Sequence, residues 1–191
     1  MTVSDFRISP KYHKSDWDKL AFNTQEDWVA AIDIVEDRIK GRLIQWIDQI
    51  EPSRFSGFAV VALDCLLIET IYGFQHGAST MDTKAPYRAI LPLPELGFDS
   101  ATVESFIEDV RNAMVHDTET RKRWLIEMNL PAIGIVERDS SGNFVLNRRH
   151  FHSGLRDVLN HWLERLRSGD LVGRQKMKER MLQIIEKHFS T

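Results

Sequence analysis

The sequence predicts a mainly α-helical protein, a helical bundle with a small β-hairpin inserted before its C-terminal helices. Two observations favour this class. Several long segments repeat apolar residues at spacings of three and four, the period of an amphipathic helix, and one short region combines strand-like runs with a turn signal. With 191 residues, 42% of them hydrophobic, the chain is expected to form a core as a single domain over residues 1–191.

The first part of the chain predicts an N-terminal arm and two long helices. The arm, residues 1–24, is polar. The segment 28–50 places its apolar residues on one helical face, and Pro52 with Ser53 ends it. The next helix, about 55–75, is apolar almost all round. We therefore expect it to be the central and most buried element.

A proline-rich segment and a third helix follow. About twenty residues after the second helix contain three prolines, and they are predicted to form a long ordered loop. The third helix is expected to begin with Asp99 or Ser100 as its N-cap and to end near His116. Its apolar residues again follow helical spacing.

The last part of the chain predicts the β-hairpin insertion and two helices. The insertion covers residues 121–149, with its strands between about 124 and 147. The run Asp139–Asn143 is a turn signal between two of these strands. Residues 150–191 are expected to form the C-terminal helices, the last of which is basic.

Composition excludes several classes of protein. The second helix is interrupted by Asp64 and Glu69, so no membrane span is expected, and the N-terminal sequence lacks the pattern of a secretory signal. A single cysteine, Cys65, excludes a disulfide framework. We expect a cytoplasmic protein. The formal charge of −3 argues against a dedicated nucleic-acid-binding domain, which is usually strongly basic.

A polar motif lies at the end of the third helix. Arg111, Asn112 and His116 form the pattern R-N-x-x-x-H. Asn112 and His116 are four residues apart and share a helix face, so the amide can hold one imidazole nitrogen and determine which nitrogen faces a substrate. Arg111 is about 140° from His116 around an ideal helix. The two converge on one substrate only if the helix end is distorted or a second chain contributes.

The stretch FIEDVRNAMVHDTET resembles the HEPN family (higher eukaryotes and prokaryotes nucleotide-binding domains). Members are helical bundles that often dimerise and carry an Arg, a polar residue, three further residues and a His. The resemblance implies a metal-independent endoribonuclease with Arg111, Asn112 and His116 as catalytic residues, RNA as substrate, and neither cofactor nor metal. It also implies a homodimer that acts as a bacterial toxin or defence effector.

The resemblance leaves two alternatives open. One is a HEPN-like module without catalysis that binds nucleotides or docks a partner. The other is a toxin–antitoxin component that an antitoxin or regulatory protein holds silent. In family toxins that their antitoxin modifies with nucleotides, the resemblance calls for Tyr two residues after the His. Thr118 stands there, which argues against that subgroup.

The same pattern occurs a second time, in Arg156, Asp157 and His161. The first copy is favoured because it has Asn at the second position, lies at a helix end beside a polar turn, and has surroundings similar to the family. The second copy lies in the middle of a helix, where a solvated polar face explains it. The sequence leaves open whether it matters.

The residue types suit RNA cleavage without a metal. An imidazole transfers protons near neutral pH, and a guanidinium keeps its charge and presents a planar set of donors to phosphoryl oxygens. One chain supplies one His and one Arg from this motif. We therefore expect a composite site near a two-fold axis, lined by Arg111 and His116 of both protomers.

Charge is unevenly distributed, in a way that is compatible with such a site. Residues 1–110 contain 10 Lys+Arg and 18 Asp+Glu, whereas residues 111–191 contain 15 and 10. Positive charge is needed only around the scissile phosphate. A nearly neutral chain therefore predicts a small, local RNA site.

Four acidic residues near these elements are expected to have structural roles. Asp64 and Glu69 would cap loop amides or pair with an arginine, with lining of the site as the alternative. Glu108 and Asp109 would form ion pairs on the helix face.

The run RRHFH at 148–152 contains two candidate functional pairs. As a strand, it would place His150 and His152 on one face, but no third ligand is nearby and we expect no metal site. Arg148 and Arg149 are expected either to contact phosphate or to lie in a solvated loop.

Overall fold

The computed structural model describes residues 5–78, 81–117, 119–121, 123–128 and 134–187. It is mainly helical with one small sheet, as predicted. The helices are α1 (Lys14–Asp18), α2 (Gln25–Ile39), α3 (Gln45–Ile50), α4 (Gly57–His76), α5 (Ala85–Ile90), α6 (Ser100–Phe106), α7 (Asn112–Asp117), α8 (Arg148–Arg167) and α9 (Leu171–Glu186). The strands are β1 (Trp124–Glu127), β2 (Val136–Arg138) and β3 (Phe144–Asn147).

Two of the predicted long helices contain a π-helical segment. Lys40–Ile44 joins α2 to α3, and Ile107–Arg111 joins α6 to α7. In the second segment the Asn112 N–H donates to the carbonyl of Ile107, five residues earlier. A π turn inserts one residue into the helix, which rotates the side chains beyond it by about 100°. Apolar spacing predicted each helix but did not reveal the inserted residue.

The predicted start of the third helix is confirmed, whereas α2 begins three residues before the predicted position 28. The carboxylate of Asp99 accepts a hydrogen bond from the Thr102 N–H at 2.7 Å, so Asp99 rather than Ser100 is the N-cap. Thr24 caps α2 in the same way, through a 3.1 Å bond to the Asp27 N–H. Both caps satisfy N–H groups that the first helical turn leaves without a partner.

The predicted long loop is wrong in one respect, because it contains helix α5. Pro86 is the second residue of this helix, where its missing N–H removes no helical hydrogen bond. Tyr87 and Ile90 are buried, so packing against the core stabilises a helix too short to form alone.

Contacts group the chain into two compact units. The first comprises the described residues of 1–46, 73–80 and 160–191, and the second those of 47–72 and 81–159. The prediction of one domain over residues 1–191 stays a prediction.

The first unit contains a buried arginine. Arg174 in α9 donates to the carbonyl of Leu166 at 2.7 Å and to the side chain of Gln25 at 2.9 Å. Its guanidinium also lies 5.8 Å from the ring centroid of Trp28. Nearby, the rings of Phe74 and Trp162 pack together.

The second unit has an aromatic core around Phe106. The ring of Phe106 contacts those of Tyr87, Phe98, Trp124 and Phe151, with centroids 5.5 to 6.2 Å apart. Because Phe106 lies immediately before the π-helical segment, this core holds in place the helix that carries the R-N-x-x-x-H motif.

The predicted hairpin is confirmed and extended to a three-stranded sheet with the order β1-β3-β2. Strands β2 and β3 are antiparallel, with Val136 opposite Leu146, and the predicted turn joins them. Strand β1 pairs parallel to β3, with Trp124 opposite Phe144. The Trp124 indole N–H donates to the hydroxyl of Ser105 at 2.9 Å, which ties the sheet to the motif helix.

Helix α4 is less buried than its composition predicts. By length and composition, α4 is the one helix among the described residues that could cross a membrane. Half of its most apolar stretch is buried within the structure. Its Asp64 is fully buried. A core helix of a soluble protein has these properties too. The remaining apolar residues form an exposed stripe that includes Phe58 and Leu66, 47% and 51% exposed.

Candidate functional site

Arg111 is held at the end of the π-helical segment by a carboxylate from α4. Its Nη2 donates to Glu69 Oε1 at 3.0 Å, and its Nη1 donates to Asn112 Oδ1 at 3.1 Å. The guanidinium lies 5.9 Å from the ring centroid of Tyr87, and only 17% of the side chain is exposed. The prediction that Glu69 pairs with an arginine is confirmed.

Tyr87 completes the support of this arginine. Its hydroxyl donates to Glu69 Oε1 at 2.9 Å, so one carboxylate oxygen accepts from both the tyrosine and the arginine. Burial acts to lower the pKa of Arg111, but the hydrogen bonds with Glu69 and Tyr87 raise it overall. The guanidinium therefore stays charged in a half-buried position.

The amide of Asn112 contacts two neighbours on its own helix. Besides accepting from Arg111, it donates through Nδ2 to Glu108 Oε2 at 3.4 Å. We expected the amide to hold the imidazole of His116, and among the described contacts it does not. Glu108 also pairs with Lys84, which lies outside the helix, so the prediction of an ion pair within the helix face is wrong for Glu108, because Arg111 is taken by Glu69.

His116 lies in the last turn of α7 with its side chain exposed. Within the described part of the chain, no hydrogen bond or ion pair joins it to Arg111. The π turn ends at Arg111, so the residues from 112 onward have α-helical geometry. With this geometry the arginine and the histidine lie about 140° apart around the helix, which is the situation in which we expected a second chain to contribute.

The second copy of the pattern has a different environment. Arg156 is exposed on α8 and donates to Asp48 Oδ1 at 3.0 Å. Asp157 and His161 are exposed on the same helix. A solvated polar face, the interpretation favoured from the sequence, describes Asp157 and His161, whereas Arg156 forms an ion pair with a residue of α3.

A buried Asp–His pair is the strongest polar feature that sequence reasoning did not assemble. His152 Nδ1 lies 2.7 Å from Asp64 Oδ1, and both side chains are almost completely buried. Burial raises the pKa of Asp64 to about 6, against the opposing effect of the hydrogen bond from His152. Burial acts to lower the pKa of His152, but Asp64 and Asp48 raise it overall.

The run RRHFH lies in α8 and not in a strand. Residues two apart on a helix point in nearly opposite directions, so His150 and His152 do not share a face. In the described ranges, no group of three or more His, Cys, Asp or Glu residues could hold a metal ion.

Neither expected role fits Arg148. Its side chain is buried and donates to the backbone carbonyls of Glu51 and Ser53 at 2.8 and 2.7 Å. Arg149 is exposed and pairs with Glu51 at 2.7 Å. Arg148 therefore closes the turn after α3, which is a structural role.

Comparisons with models of known protein families, with curated proteins and with solved structures found no match. The resemblance to the HEPN family thus rests only on the motif residues of this chain.

Proposed function

We propose that this protein is a metal-independent endoribonuclease in which Arg111, Asn112 and His116 form the catalytic motif. The proposal depends above all on the Glu69–Arg111 contact, because it holds a permanently charged donor group at the end of the helix that also carries an exposed histidine. A bacterial toxin or defence effector in the cytoplasm is the biological role that the resemblance suggests.

The proposed reaction uses these side chains in separate roles. An imidazole takes the proton from the ribose 2′-OH as the 2′-oxygen attacks phosphorus, and a second imidazole protonates the departing 5′-oxygen. The products are a 2′,3′-cyclic phosphate and a 5′-hydroxyl. Because His116 is exposed, RNA can reach it without rearrangement of the helix.

Arg111 is proposed to stabilise the negative charge on the pentacoordinate phosphorus. Glu69 and Asn112 each accept from one terminal nitrogen of its guanidinium. A guanidinium has five N–H groups, so donors remain for phosphoryl oxygens. Preorganisation of the charged group is the property that this kind of catalysis needs.

The exposed stripe on α4 supports the homodimer in this proposal. Phe58, Ala62 and Leu66 are exposed apolar residues on successive turns. Ala62 lies seven residues before Glu69, so the two side chains are about 20° apart around the helix. A second copy packed on this stripe would lie next to Arg111 and bring its own motif to the same site.

One observation favours the non-catalytic alternative. The carboxylate of Glu69 neutralises Arg111, and the side chain is only 17% exposed. Docking a partner or binding a nucleotide requires no proton transfer, whereas a nuclease needs the partner's histidine as well.

Cleavage of RNA in EDTA distinguishes the two functions. Wild-type protein, His116→Ala and the matched control His161→Ala are incubated with total RNA, and the 5′-hydroxyl ends are counted by labelling. We expect cleavage by the wild type and by His161→Ala, and its loss in a folded His116→Ala variant. Cleavage that requires added metal, or wild-type rates in His116→Ala, would contradict the proposal.

A further inference from the structure

A small pocket in the second unit lies between α3 and the first half of α8. It has a volume of about 180 Å³ and is lined by Asp48, Glu51, Arg149, His152, Ser153 and Arg156. The four residues from α8 follow spacings of three and four and so share one face of that helix. Its charged groups come from α8 on one side and from α3 with the residue that follows it on the other.

His152 is held in this pocket from behind. The fully buried carboxylate of Asp64 in α4 accepts from its Nδ1 at 2.7 Å, which leaves Nε2 on the other side of the ring. Nε2 is buried and faces the carboxylate of Asp48 at 3.3 Å without forming a well-aligned hydrogen bond. A buried polar atom that is poorly satisfied is costly, so a ligand oxygen with better geometry is favoured at this position.

A carboxylate of the protein already occupies the position of such a ligand. Asp48 Oδ1 lies 3.0 Å from Arg156 Nη1 and 3.3 Å from His152 Nε2, between a guanidinium and an imidazole. Glu51 pairs with the second arginine of the pocket, with its Oε1 2.7 Å from Arg149 Nε. Asp48 lies in α3 and Glu51 directly follows it, and both arginines come from α8.

The Asp48–Arg156 pair is readily broken. The two side chains are 42% and 48% exposed, and exposed ion pairs of this kind contribute at most about 1 kcal/mol. The carboxylate can turn to solvent, where it is rehydrated. Arg156 and His152 Nε2 are then left without an oxyanion.

We propose that this pocket binds a phosphate group, one oxygen of which replaces Asp48 Oδ1 between Arg156 and His152. Two other oxygens are within the reach of Ser153 and Arg149, which line the same pocket. A volume of this size fits a terminal phosphate, either inorganic phosphate or the phosphate of a small phosphomonoester. This site does not depend on RNA cleavage and involves none of Arg111, Asn112 and His116.

The proposal is tested by a substitution that should increase binding. Asp48→Asn keeps the shape of the side chain and removes the competing charge. We expect isothermal titration calorimetry at constant ionic strength to show inorganic phosphate binding to Asp48→Asn about tenfold more tightly than to the wild type, because a charge-assisted competitor is lost. The Nε2 resonance of His152 should shift as phosphate is added. The double variant D48N/R156Q should lose this binding.

Glu104→Gln is the matched control. It frees Arg88 from an ion pair of nearly the same exposure, 48% and 47%, but at a place without a buried histidine. An equal gain in phosphate affinity in Glu104→Gln, or no gain in Asp48→Asn, would overturn the proposal. Adenosine 5′-monophosphate is titrated in parallel: tighter binding than inorganic phosphate identifies a phosphomonoester site, and equal binding identifies a free phosphate site.

Discussion

The carboxylate of Glu69 and the guanidinium of Arg111 are joined by a 3.0 Å hydrogen bond between residues 42 positions apart in the chain. The contact links the middle of α4 to the end of the π-helical segment. It gives Arg111 a defined position next to the exposed stripe of α4, so any activity of the motif is expected to depend on Glu69.

Substitution of Glu69 tests this dependence. Glu69→Gln keeps the size of the side chain but replaces a charge-assisted hydrogen bond with a neutral one of about half the strength. We expect the initial rate of oligoribonucleotide cleavage in EDTA to fall about tenfold, with the circular dichroism spectrum unchanged. Glu104→Gln, at an exposed ion pair away from Arg111, should cleave at the wild-type rate. Equal rates in all three proteins would show that Arg111 needs no support.

Two adjacent arginines are expected to differ strongly in their effect on stability. Arg148→Met leaves the carbonyls of Glu51 and Ser53 without a buried donor, so the free energy of unfolding should fall by about 3 kcal/mol. Arg149→Met removes an exposed ion pair and should cost less than about 1 kcal/mol. Urea denaturation measures both. Similar losses in the two variants would mean that the buried hydrogen bonds of Arg148 are unimportant.

Gly154 is expected to tolerate no side chain. A Cβ at this position would lie 2.7 Å from the carbonyl oxygen of Glu95 and 2.8 Å from a methyl group of Leu96. Gly154→Ala should therefore destabilise the protein by about 2 kcal/mol, despite the better helix propensity of alanine. Ser153→Ala, one residue earlier on the exposed face, should change the free energy of unfolding by less than about 0.5 kcal/mol. Thermal unfolding that ranks the two variants in the opposite order would refute the close approach.

The Asp64–His152 pair predicts a dependence of stability on pH. The pKa of Asp64 is raised from 3.8 to about 6, and that of His152 is raised from 6.5, so the folded state binds more protons than the unfolded state from about pH 4 to above pH 6.5. The contribution of the pair is therefore greatest at low pH and is lost as the pH rises through this range.

Comparison with Asp64→Asn isolates this contribution. The stability of the wild type relative to Asp64→Asn should decrease steadily between pH 4 and pH 8 in urea denaturation series. A difference that is constant, or that grows with pH, would contradict the assigned protonation of the pair.

The fold was predictable where local patterns are sufficient. The apolar spacing of 28–50 and the N-cap at Asp99 led to correct helices, because each depends on residues within a few turns. The helix α5 was missed because the three prolines of its segment predict a loop. The helix is stabilised by the burial of Tyr87, which the local sequence does not show. The π-helical segments were missed because one inserted residue shifts the buried face by about 100° without interrupting the run of apolar residues.

The candidate site was predictable only in part. The pattern of Arg111, Asn112 and His116 is visible in the sequence. Because Glu69 is an acidic residue in an apolar helix, it was expected to pair with an arginine or to cap loop amides. That Glu69 would bind Arg111 was not visible, since the two are 42 residues apart. The same holds for Asp64 and His152, which are separated by 88 residues.

The amino-acid sequence by itself determined the helical class, the positions of most helices, the hairpin and the motif, because these follow from periodicity, capping and turn chemistry over short distances. The tertiary structure decided which charges meet. It paired Glu69 with Arg111, buried Asp64 against His152, and placed Asp48 between His152 and Arg156. All these contacts depend on the packing of distant segments. Burial makes an unpaired charge costly and so selects the partner in the first two pairs, whereas the exposed Asp48–Arg156 pair follows only from the placement of α3 beside α8.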